Sequence, residues 1–254
     1  FDYDKNEINT EMLLEAWTID FISKKGFEGE KYNYVTHQVI ASPFKPLAYI
    51  DKMDIFAYRY LEEYPDLEKP IEKYMVIELK KGKATRNFPL QLMRYVDWIS
   101  KEYAAGDYSL IKAVGIAKGY PKGMQKIIDE QCNRSYLSDL HPNITSQWND
   151  LSLYEYFMDK GNQLRIRKSN IFDPILELKE RFSNIGLKYN NGKIRINGGV
   201  YSPKFKVQSQ KWAFFERIDE EEKNVLSKNG WTVIDVSKIK NRVEVNQLIL
   251  ELFR

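Results

Sequence analysis

The sequence predicts an α/β protein, in which an α/β core over 1–160 precedes a smaller α+β domain over 161–254. Two observations predict this class. Segments of helical period alternate with apolar, strand-like segments before Lys160, which is the pattern of α/β cores. Beyond Lys160 the segments are shorter and the net charge changes sign. With 43% hydrophobic residues among 254, the chain can bury a sizeable core.

The first domain is expected to begin with an amphipathic helix over 7–24, capped by Thr10 and ended by Gly26. Alternating residues in 33–41 and 48–60 predict two paired strands. The apolar stripe of the helix is predicted to contain Met12, Leu13, Ala16, Trp17 and residues 19–21. The later elements are predicted as a loop with Pro43 and Pro46, a polar insertion at 61–73, a strand at 74–82, a helix at 88–103, a strand at 108–117, a helix at 122–136 and a strand at 151–158.

The second domain is expected to contain a helix at 174–183 and a type I′ hairpin at 189–193, because Asn191-Gly192 is typical of such turns. A helix, a cap at Gly230 and a buried strand are predicted within 220–239. The last predicted helix covers 241–254.

Polar residues interrupt the apolar strands at Asp54 and, in the next strand, at Glu78 and Lys80. Side chains two apart in a strand share a face, so Glu78 and Lys80 are expected on one side of the sheet, with Ile77 and Leu79 on the other. Two carboxylates that meet can bind Mg²⁺, which assists phosphodiester hydrolysis. Glu78 and Lys80 alone are also explained by a solvated ion pair.

The following helix carries Gln91 and Tyr95 at i and i+4, on one face. Their amide and phenol can hydrogen-bond groups at the neighbouring strand edge. Asp54, then Glu78-Leu79-Lys80 after 23 residues, then Gln91 to Tyr95 after 10 more, resembles the QxxxY subset of the PD-(D/E)XK nuclease superfamily. Lys52-Met53 precede Asp54 where the family often has a turn with Pro or Gly.

The resemblance covers about residues 6–160 and implies a restriction-endonuclease-like core, with a central mixed sheet flanked by helices. It implies that Asp54 and Glu78 bind metal, that Lys80 positions or activates the attacking water, and that Gln91 and Tyr95 support the site. Mg²⁺ is the expected cofactor, and Mn²⁺ is an alternative.

The resembling nucleases also place a glutamate of their first helix near the catalytic cluster. Glu11 and Glu15 are i, i+4 neighbours on the first predicted helix, so either could approach the metal, with a slight preference for Glu11. Both could equally form a solvated acidic face. Gln38, in the first predicted strand, is expected to be an ordinary polar strand residue.

The implied activity is that of a metal-dependent DNA endonuclease of restriction or defence type acting on double-stranded DNA. A repair nuclease or an exonuclease of the same fold is the alternative. Cleavage of two strands favours a homodimer. From a different class, a catalytically silent nucleic-acid-binding protein or a coincidental salt-bridge network in a non-nuclease domain would also fit.

The charge distribution favours a nucleic-acid partner. Residues 161–254 carry 18 Lys/Arg against 11 Asp/Glu, whereas 1–160 carry 21 against 25. Basic residues interleaved with Tyr189, Tyr201, Phe205 and Trp212 suit a nucleic-acid surface, although a solvated sheet with core aromatics explains the same pattern. The candidate contacts are Lys81, Lys83, Arg86, Arg165, Arg167, Lys168, Lys193, Arg195, Lys204 and Lys206.

The remaining features favour a cytoplasmic protein. Cys132 is the only cysteine, which excludes an internal disulfide within this sequence and predicts a packing thiol. His37 and His141 are too few and too far apart for a histidine metal cluster. No apolar run suggests a membrane span, and the start FDYDKNE is not expected to be a signal peptide.

Overall fold

The computed structural model describes residues 8–41, 51–61, 69–140, 142–161 and 163–254. The chain divides into two compact units, Phe1–Ile171 and Phe172–Arg254. The boundary predicted after Lys160 falls before the strand Leu164–Lys168, which pairs with the strand Leu151–Met158. Sheet hydrogen bonds therefore keep this stretch in the first unit.

The first unit is built on one six-stranded mixed sheet. Its elements are α1 (Glu11–Lys25), β1 (Tyr34–Ile40), β2 (Lys52–Tyr60), β3 (Ile71–Lys83), α2 (Phe88–Glu102), β4 (Ile111–Gly119), α3 (Met124–Gln131), β5 (Arg134–Leu140), β6 (Asn143–Trp148), β7 (Leu151–Met158) and β8 (Leu164–Lys168). The strand order is β1-β2-β3-β4-β7-β8, with β3, β4 and β7 parallel and the other pairs antiparallel. Helices flank this sheet, which confirms the predicted α/β class.

Hydrophobic clusters cover both faces of the sheet. Leu14 of α1 packs with Ile77 and Leu79 of β3 on one face. Leu92 of α2 packs with Val76 of β3 on the other face. Because strand side chains alternate, the even-numbered positions of this part of β3 belong to the α2 side, as predicted.

The first helix begins as predicted, but its most deeply buried residues lie beside the predicted stripe. Thr10 is its N-cap, and the Oγ1 atom of Thr10 accepts a hydrogen bond from the Leu13 amide at 3.2 Å. The predicted apolar stripe is confirmed in part, since Leu13, Trp17, Ile19 and Phe21 pack against the core of this face, whereas Met12 is 79% exposed. The most deeply buried positions lie beside this stripe, and two of them are polar. The buried residues of α1 are Leu14, Glu15, Thr18 and Ile22.

A glycine sets how closely α2 approaches the sheet. Gly115 of β4 lies beside Glu78 of β3 in the parallel ladder. A Cβ atom at Gly115 would lie 2.5 Å from Cε1 of Phe88, the first residue of α2, and 2.6 Å from Cδ2 of Leu153. The Phe88 ring is therefore seated in the space that a side chain at Gly115 would occupy.

The helix predicted over 122–136 ends earlier, because α3 stops at Gln131 and the chain turns into the β5–β6 hairpin. Long-range contacts hold this hairpin. Arg134 donates to both carboxylate oxygens of Asp97 at 2.8 and 2.9 Å, and Trp148 Nε1 donates to the Ile111 carbonyl at 2.8 Å. A local periodicity count does not include such contacts, which is why the prediction overextended the helix.

Cys132 is buried, as predicted, and burial raises the pKa of its thiol to about 11. The side chain therefore packs as a neutral thiol. The predicted loop with Pro43 and Pro46, most of the insertion at 61–73, His141 and the first seven residues lie outside the described residues.

The second unit is a smaller α+β arrangement. Its elements are α4 (Pro174–Asn184), β9 (Ile194–Ile196), β10 (Gly199–Tyr201), β11 (Phe205–Val207), β12 (Trp212–Phe215), α5 (Glu220–Lys228), β13 (Thr232–Asp235) and α6 (Arg242–Leu252). Strands β11, β12 and β13 form one sheet, and β9 and β10 form a separate hairpin. The three helices lie where the sequence predicted them. Among the described helices of the whole chain, none is both long and apolar enough to span a membrane.

The hairpin of this unit is not where it was predicted. Its turn is Asn197-Gly198, where both residues have positive φ angles of 49° and 81°. Asn190, in the predicted turn, forms an isolated bridge with Lys206 instead. Both places carry Asn-Gly, but only the second is flanked by short apolar strands that can pair.

Aromatic residues form the core of the second unit. Phe205 and Phe214 are fully buried, and their rings stack with centroids 4.3 Å apart. Phe182 of α4 and Trp212 of β12 pack in the same cluster. The suggestion that Phe205 and Trp212 lie among cations on a nucleic-acid surface is therefore wrong, and the alternative of core aromatics is correct for both.

Candidate active site

The antiparallel pairing of β2 with β3 brings the two predicted acids together. Ile55 lies opposite Ile77 in this ladder, so Asp54 and Glu78 occupy the next positions along the two strands. The Asp54 Oδ2 atom accepts a hydrogen bond from the Leu79 amide at 2.8 Å. The backbone of β3 thus fixes the Asp54 carboxylate beside Glu78.

Glu78 is the most deeply buried acid of the site, with 2% of its surface exposed. Its Oε1 atom accepts a hydrogen bond from Gln91 Nε2 at 2.6 Å. Its Oε2 atom is buried and accepts no hydrogen bond from the described residues. Burial, and then repulsion from Asp54, raise the pKa of Glu78 to about 8. A cation bound beside this carboxyl would favour its ionised form and neutralise its charge.

Opposing effects act on the pKa of Asp54. Burial raises the pKa of Asp54, and the negative charges of Glu15 and Glu11 add to that rise. The Leu79 amide and the Lys80 ammonium act in the opposite direction. The charges of Lys80, Glu15 and Glu11 therefore act on Asp54, and those of Asp54, Lys80 and Glu11 act on Glu78. Lys80 is the one lysine among the groups that shift these two pKa values.

Gln91 and Tyr95 reach the cluster from α2, as predicted from their spacing. Gln91 Nε2 donates to Glu78 and also lies 3.4 Å from the Tyr95 hydroxyl, which accepts its second N–H. Burial and the Glu78 charge raise the pKa of Tyr95 to about 12, so the phenol stays neutral. The amide is thereby held between the acid and the phenol.

Lys80 lies on the same strand face as Glu78, two residues further on. Its Nζ atom is 3.5 Å from Glu11 Oε1, and 39% of the Lys80 side chain remains exposed. The ammonium therefore lies between the acid cluster and solvent.

Glu11 and Glu15 occupy different environments. Glu11 is exposed and pairs with Lys80. Glu15 is 8% exposed, and its two oxygens contact His37 Nδ1 at 2.6 Å and Gln38 Nε2 at 3.2 Å. The prediction that one of them binds metal remains a prediction. Sequence reasoning did not connect His37 or Gln38 with the site, because pairing between β1 and α1 leaves no local signal.

Asp54 and Glu78 are the residues suited to hold a divalent cation. No group of three or more His, Cys, Asp or Glu side chains within the described ranges is placed to hold a metal ion. Mg²⁺ needs only one or two protein carboxylates, with water and substrate phosphate completing its shell. The buried Glu78 oxygen without a donor, beside a second carboxylate, fits such an ion.

The predicted nucleic-acid contacts of the first unit differ in availability. The Lys81 Nζ atom donates to the Asn9 carbonyl at 3.0 Å. Arg165 and Arg167 of β8 form ion pairs with Asp159 and Glu155 at 2.7 and 2.8 Å. The remaining candidates of this unit are exposed at the surface, namely Lys83, Arg86 and Lys168.

The basic candidates of the second unit divide in the same way. Lys204 pairs with Glu216 at 2.8 Å. Lys206 donates to the Lys193 carbonyl at 3.0 Å and lies over the Trp231 ring. The Lys193 and Arg195 side chains are exposed.

Comparisons with known proteins leave the family open. No protein-family model matches the chain, and no curated protein matches it either. A repair endonuclease from Pyrococcus abyssi has a solved structure that is similar over 46% of this chain and 43% of its own, at 22% identity and a TM-score of 0.31. The structure of EndoMS with double-stranded DNA is similar over 46% of this chain and 40% of its own, at 18% identity and a TM-score of 0.28. The chain thus spans less than half the length of both.

Proposed function

We propose that the chain is a divalent-cation-dependent nuclease that hydrolyses phosphodiester bonds in DNA. The observation that carries the proposal is the state of Glu78. This buried carboxyl lies beside Asp54, has a pKa raised to about 8 and keeps one oxygen without a hydrogen-bond donor from the described residues. A structural ion-pair network would satisfy that oxygen, whereas a cation site leaves it for the ion.

Asp54 and Glu78 would hold the cation, with Mg²⁺ expected and Mn²⁺ as a substitute. When bound, the ion would stabilise negative charge on the phosphate and lower the pKa of its water. The chain's own groups prepare for this. The Leu79 amide orients Asp54, and the Gln91 amide orients Glu78.

Lys80 is the candidate for work on the substrate itself. Its ammonium is partly exposed at the edge of the acid cluster, where it can position the attacking water or neutralise a phosphate oxygen. Gln91 acts through Glu78, and Tyr95 acts through Gln91, because its neutral hydroxyl receives the second amide N–H. Both are therefore positioning residues.

The specific activity proposed is endonucleolytic cleavage of double-stranded DNA in restriction or defence. Exposed cations near the strand that bears the acids, together with the basic second unit, support a polyanionic substrate. A repair nuclease, an exonuclease and a homodimer are further proposals that the same site accommodates. The intact acid pair and lysine favour an enzyme over a silent binding protein.

Cleavage of supercoiled, linear and single-stranded DNA, each with Mg²⁺, Mn²⁺ or EDTA, tests the proposal. The parent chain is compared with Glu78→Ala and Lys80→Ala. The matched control is Glu72→Ala, since Glu72 lies on the same strand but pairs with Arg59.

Metal-dependent nicking of the circle by the parent and the control, lost in both site variants, supports an endonuclease. Degradation of linear DNA alone points to an exonuclease. Binding of DNA without cleavage in any metal contradicts the enzymatic proposal and favours the silent binding protein.

A further inference from the structure

Two consecutive residues of β1 contact one carboxylate. His37 Nδ1 lies 2.6 Å from Glu15 Oε1, and Gln38 Nε2 donates to Glu15 Oε2 at 3.2 Å. Glu15 is one of the few buried charged residues among those described, with 8% of its surface exposed. Both of its oxygens therefore have partners from the same strand.

A regular strand cannot make this pair of contacts. Successive side chains of a strand point to opposite faces, so His37 and Gln38 would diverge. Gln38 instead has a φ angle of 53°, in the left-handed region that residues with a Cβ atom rarely adopt. This backbone conformation explains how two consecutive side chains can reach the same carboxylate. Such strain persists only where the surrounding structure imposes it.

The strained residue lies opposite a predicted metal ligand. In the β1–β2 ladder His37 is paired with Ile55 and Val39 with Met53, so the unpaired positions between them are Gln38 and Asp54. Gln38 donates to Glu15, so the Glu15 carboxylate is held at the position of β1 that lies opposite Asp54. The irregularity in β1 thus joins Glu15 to the acid pair.

We propose that Gln38 and His37 are positioning residues that fix the Glu15 carboxylate beside Asp54, and that this fixed charge raises the affinity of the site for a divalent cation. The inference rests on the proposed function. It adds residues that lie outside the Asp-Glu-Lys set and assigns to Glu15 an electrostatic role rather than a direct metal bond. Residues that orient groups around a metal commonly change metal affinity by about 10–100-fold.

Titration calorimetry with Mn²⁺ on the full chain, without DNA, tests the inference. The central variant is Gln38→Gly, because glycine tolerates the positive φ angle and removes only the amide contact. Thr36→Gly is the matched control, since it places a glycine in the same strand at a position that pairs with Phe56, whereas the two Glu15 oxygens contact His37 and Gln38. Melting temperatures measured on the same samples report on folding.

We expect Gln38→Gly to weaken Mn²⁺ binding by about tenfold with little loss of melting temperature, and Thr36→Gly to leave the affinity within about twofold. Glu15→Gln should weaken binding similarly. Because Gln38 acts through Glu15, adding Gln38→Gly to Glu15→Gln should change the affinity little further.

Three results would overturn the inference. Equal Mn²⁺ affinity in the parent and in Gln38→Gly would remove it while leaving the proposed function intact. A full additional loss in the double variant would show that Gln38 does not act through Glu15. A parent that binds no Mn²⁺, and whose Asp54→Asn variant gives the same titration, would overturn both this inference and the proposed cation site.

Discussion

Different kinds of sequence signal predicted the acid cluster of the first unit and the basic residues of the second unit. In the first, five residues spread over β2, β3 and α2 converge, because strand pairing and helical spacing dictate where they lie. In the second, the signal was the density of charge together with interleaved aromatic residues. There, Lys204 is paired with Glu216 and Lys206 lies over Trp231, so local structure uses part of the charge that suggested a partner.

The difference shows what spacing can carry that composition cannot. A spacing tied to a strand or a helix predicts a direction for each side chain, and directions can be combined into a site. A count of lysines and arginines predicts only that the surface is positive. Phe205 illustrates the limit, because an aromatic residue among cations in sequence is a core residue in the fold.

The largest expected effect separates turnover from binding. Asp54→Asn should lower kcat by about 10³-fold, because it removes one of the two carboxylates proposed to hold the cation and, with it, several kcal/mol of stabilisation at the transition state. Lys193→Ala, which removes an exposed cation of the second unit, should change KM alone and leave kcat within about twofold. Steady-state cleavage kinetics on one DNA substrate measure both constants. A loss of kcat in Lys193→Ala would contradict the distinction between the two regions.

An intermediate effect concerns the stability of the cation-free protein. The pKa of Glu78 is raised to about 8 from an ordinary value of 4.5, so its contribution to stability is complete below about 4.5 and is lost as the pH rises through about 8. Glu78→Gln does not titrate and can donate to Asp54. In EDTA at pH 9 we expect this variant to be more stable than the parent by roughly 1–3 kcal/mol, and inactive.

Scanning calorimetry between pH 4 and pH 9 measures how the stability of the parent and of Glu78→Gln changes with pH. Glu72→Gln is the control on the same strand, since Glu72 is half-exposed and pairs with Arg59. If the parent is at least as stable as Glu78→Gln at pH 9, the ionised Glu78 carboxylate does not destabilise the folded protein.

The smallest expected effect addresses the exposed cations of the second unit. If Lys193 and Arg195 bind phosphates, replacing both by serine should reduce the slope of log affinity against log salt by nearly 2, with kcat unchanged. Lys223→Ser with Lys228→Ser removes the same charge from α5 and serves as the control. Fluorescence anisotropy with labelled DNA at several salt concentrations gives the slopes. Equal slopes in both double variants would leave the region without a specific role in DNA binding.

Much of the fold could be predicted, because long amphipathic or apolar segments carry their own periodicity. Helix α2, the strand β7 and the helix α6 lie close to their predicted ranges. The errors occur where distant contacts decide. The end of α3 depends on Arg134 meeting Asp97, and the inward face of α1 depends on which residues the sheet accepts.

The candidate site shows the same division. The convergence of Asp54, Glu78 and Gln91 follows from strand and helix geometry, and the sequence predicted it. The contacts of Glu15 depend on Gln38, which adopts a left-handed backbone conformation inside a strand. Glutamine rarely adopts this conformation, so the sequence does not predict it. Only the folded structure shows that the consecutive side chains of His37 and Gln38 contact one carboxylate.

Gly115 extends the control of the site to a residue with no functional group. The Phe88 ring occupies the place of its missing side chain, and Phe88 opens the helix that brings Gln91 to Glu78. One added methyl group at this position would clash with the Phe88 ring and the Leu153 side chain, so that one of them would have to shift. The protein's tolerance to random substitution should therefore be low at a place where neither charge nor polarity marks it. In a survey of inactivating variants, Gly115 would stand beside the acids.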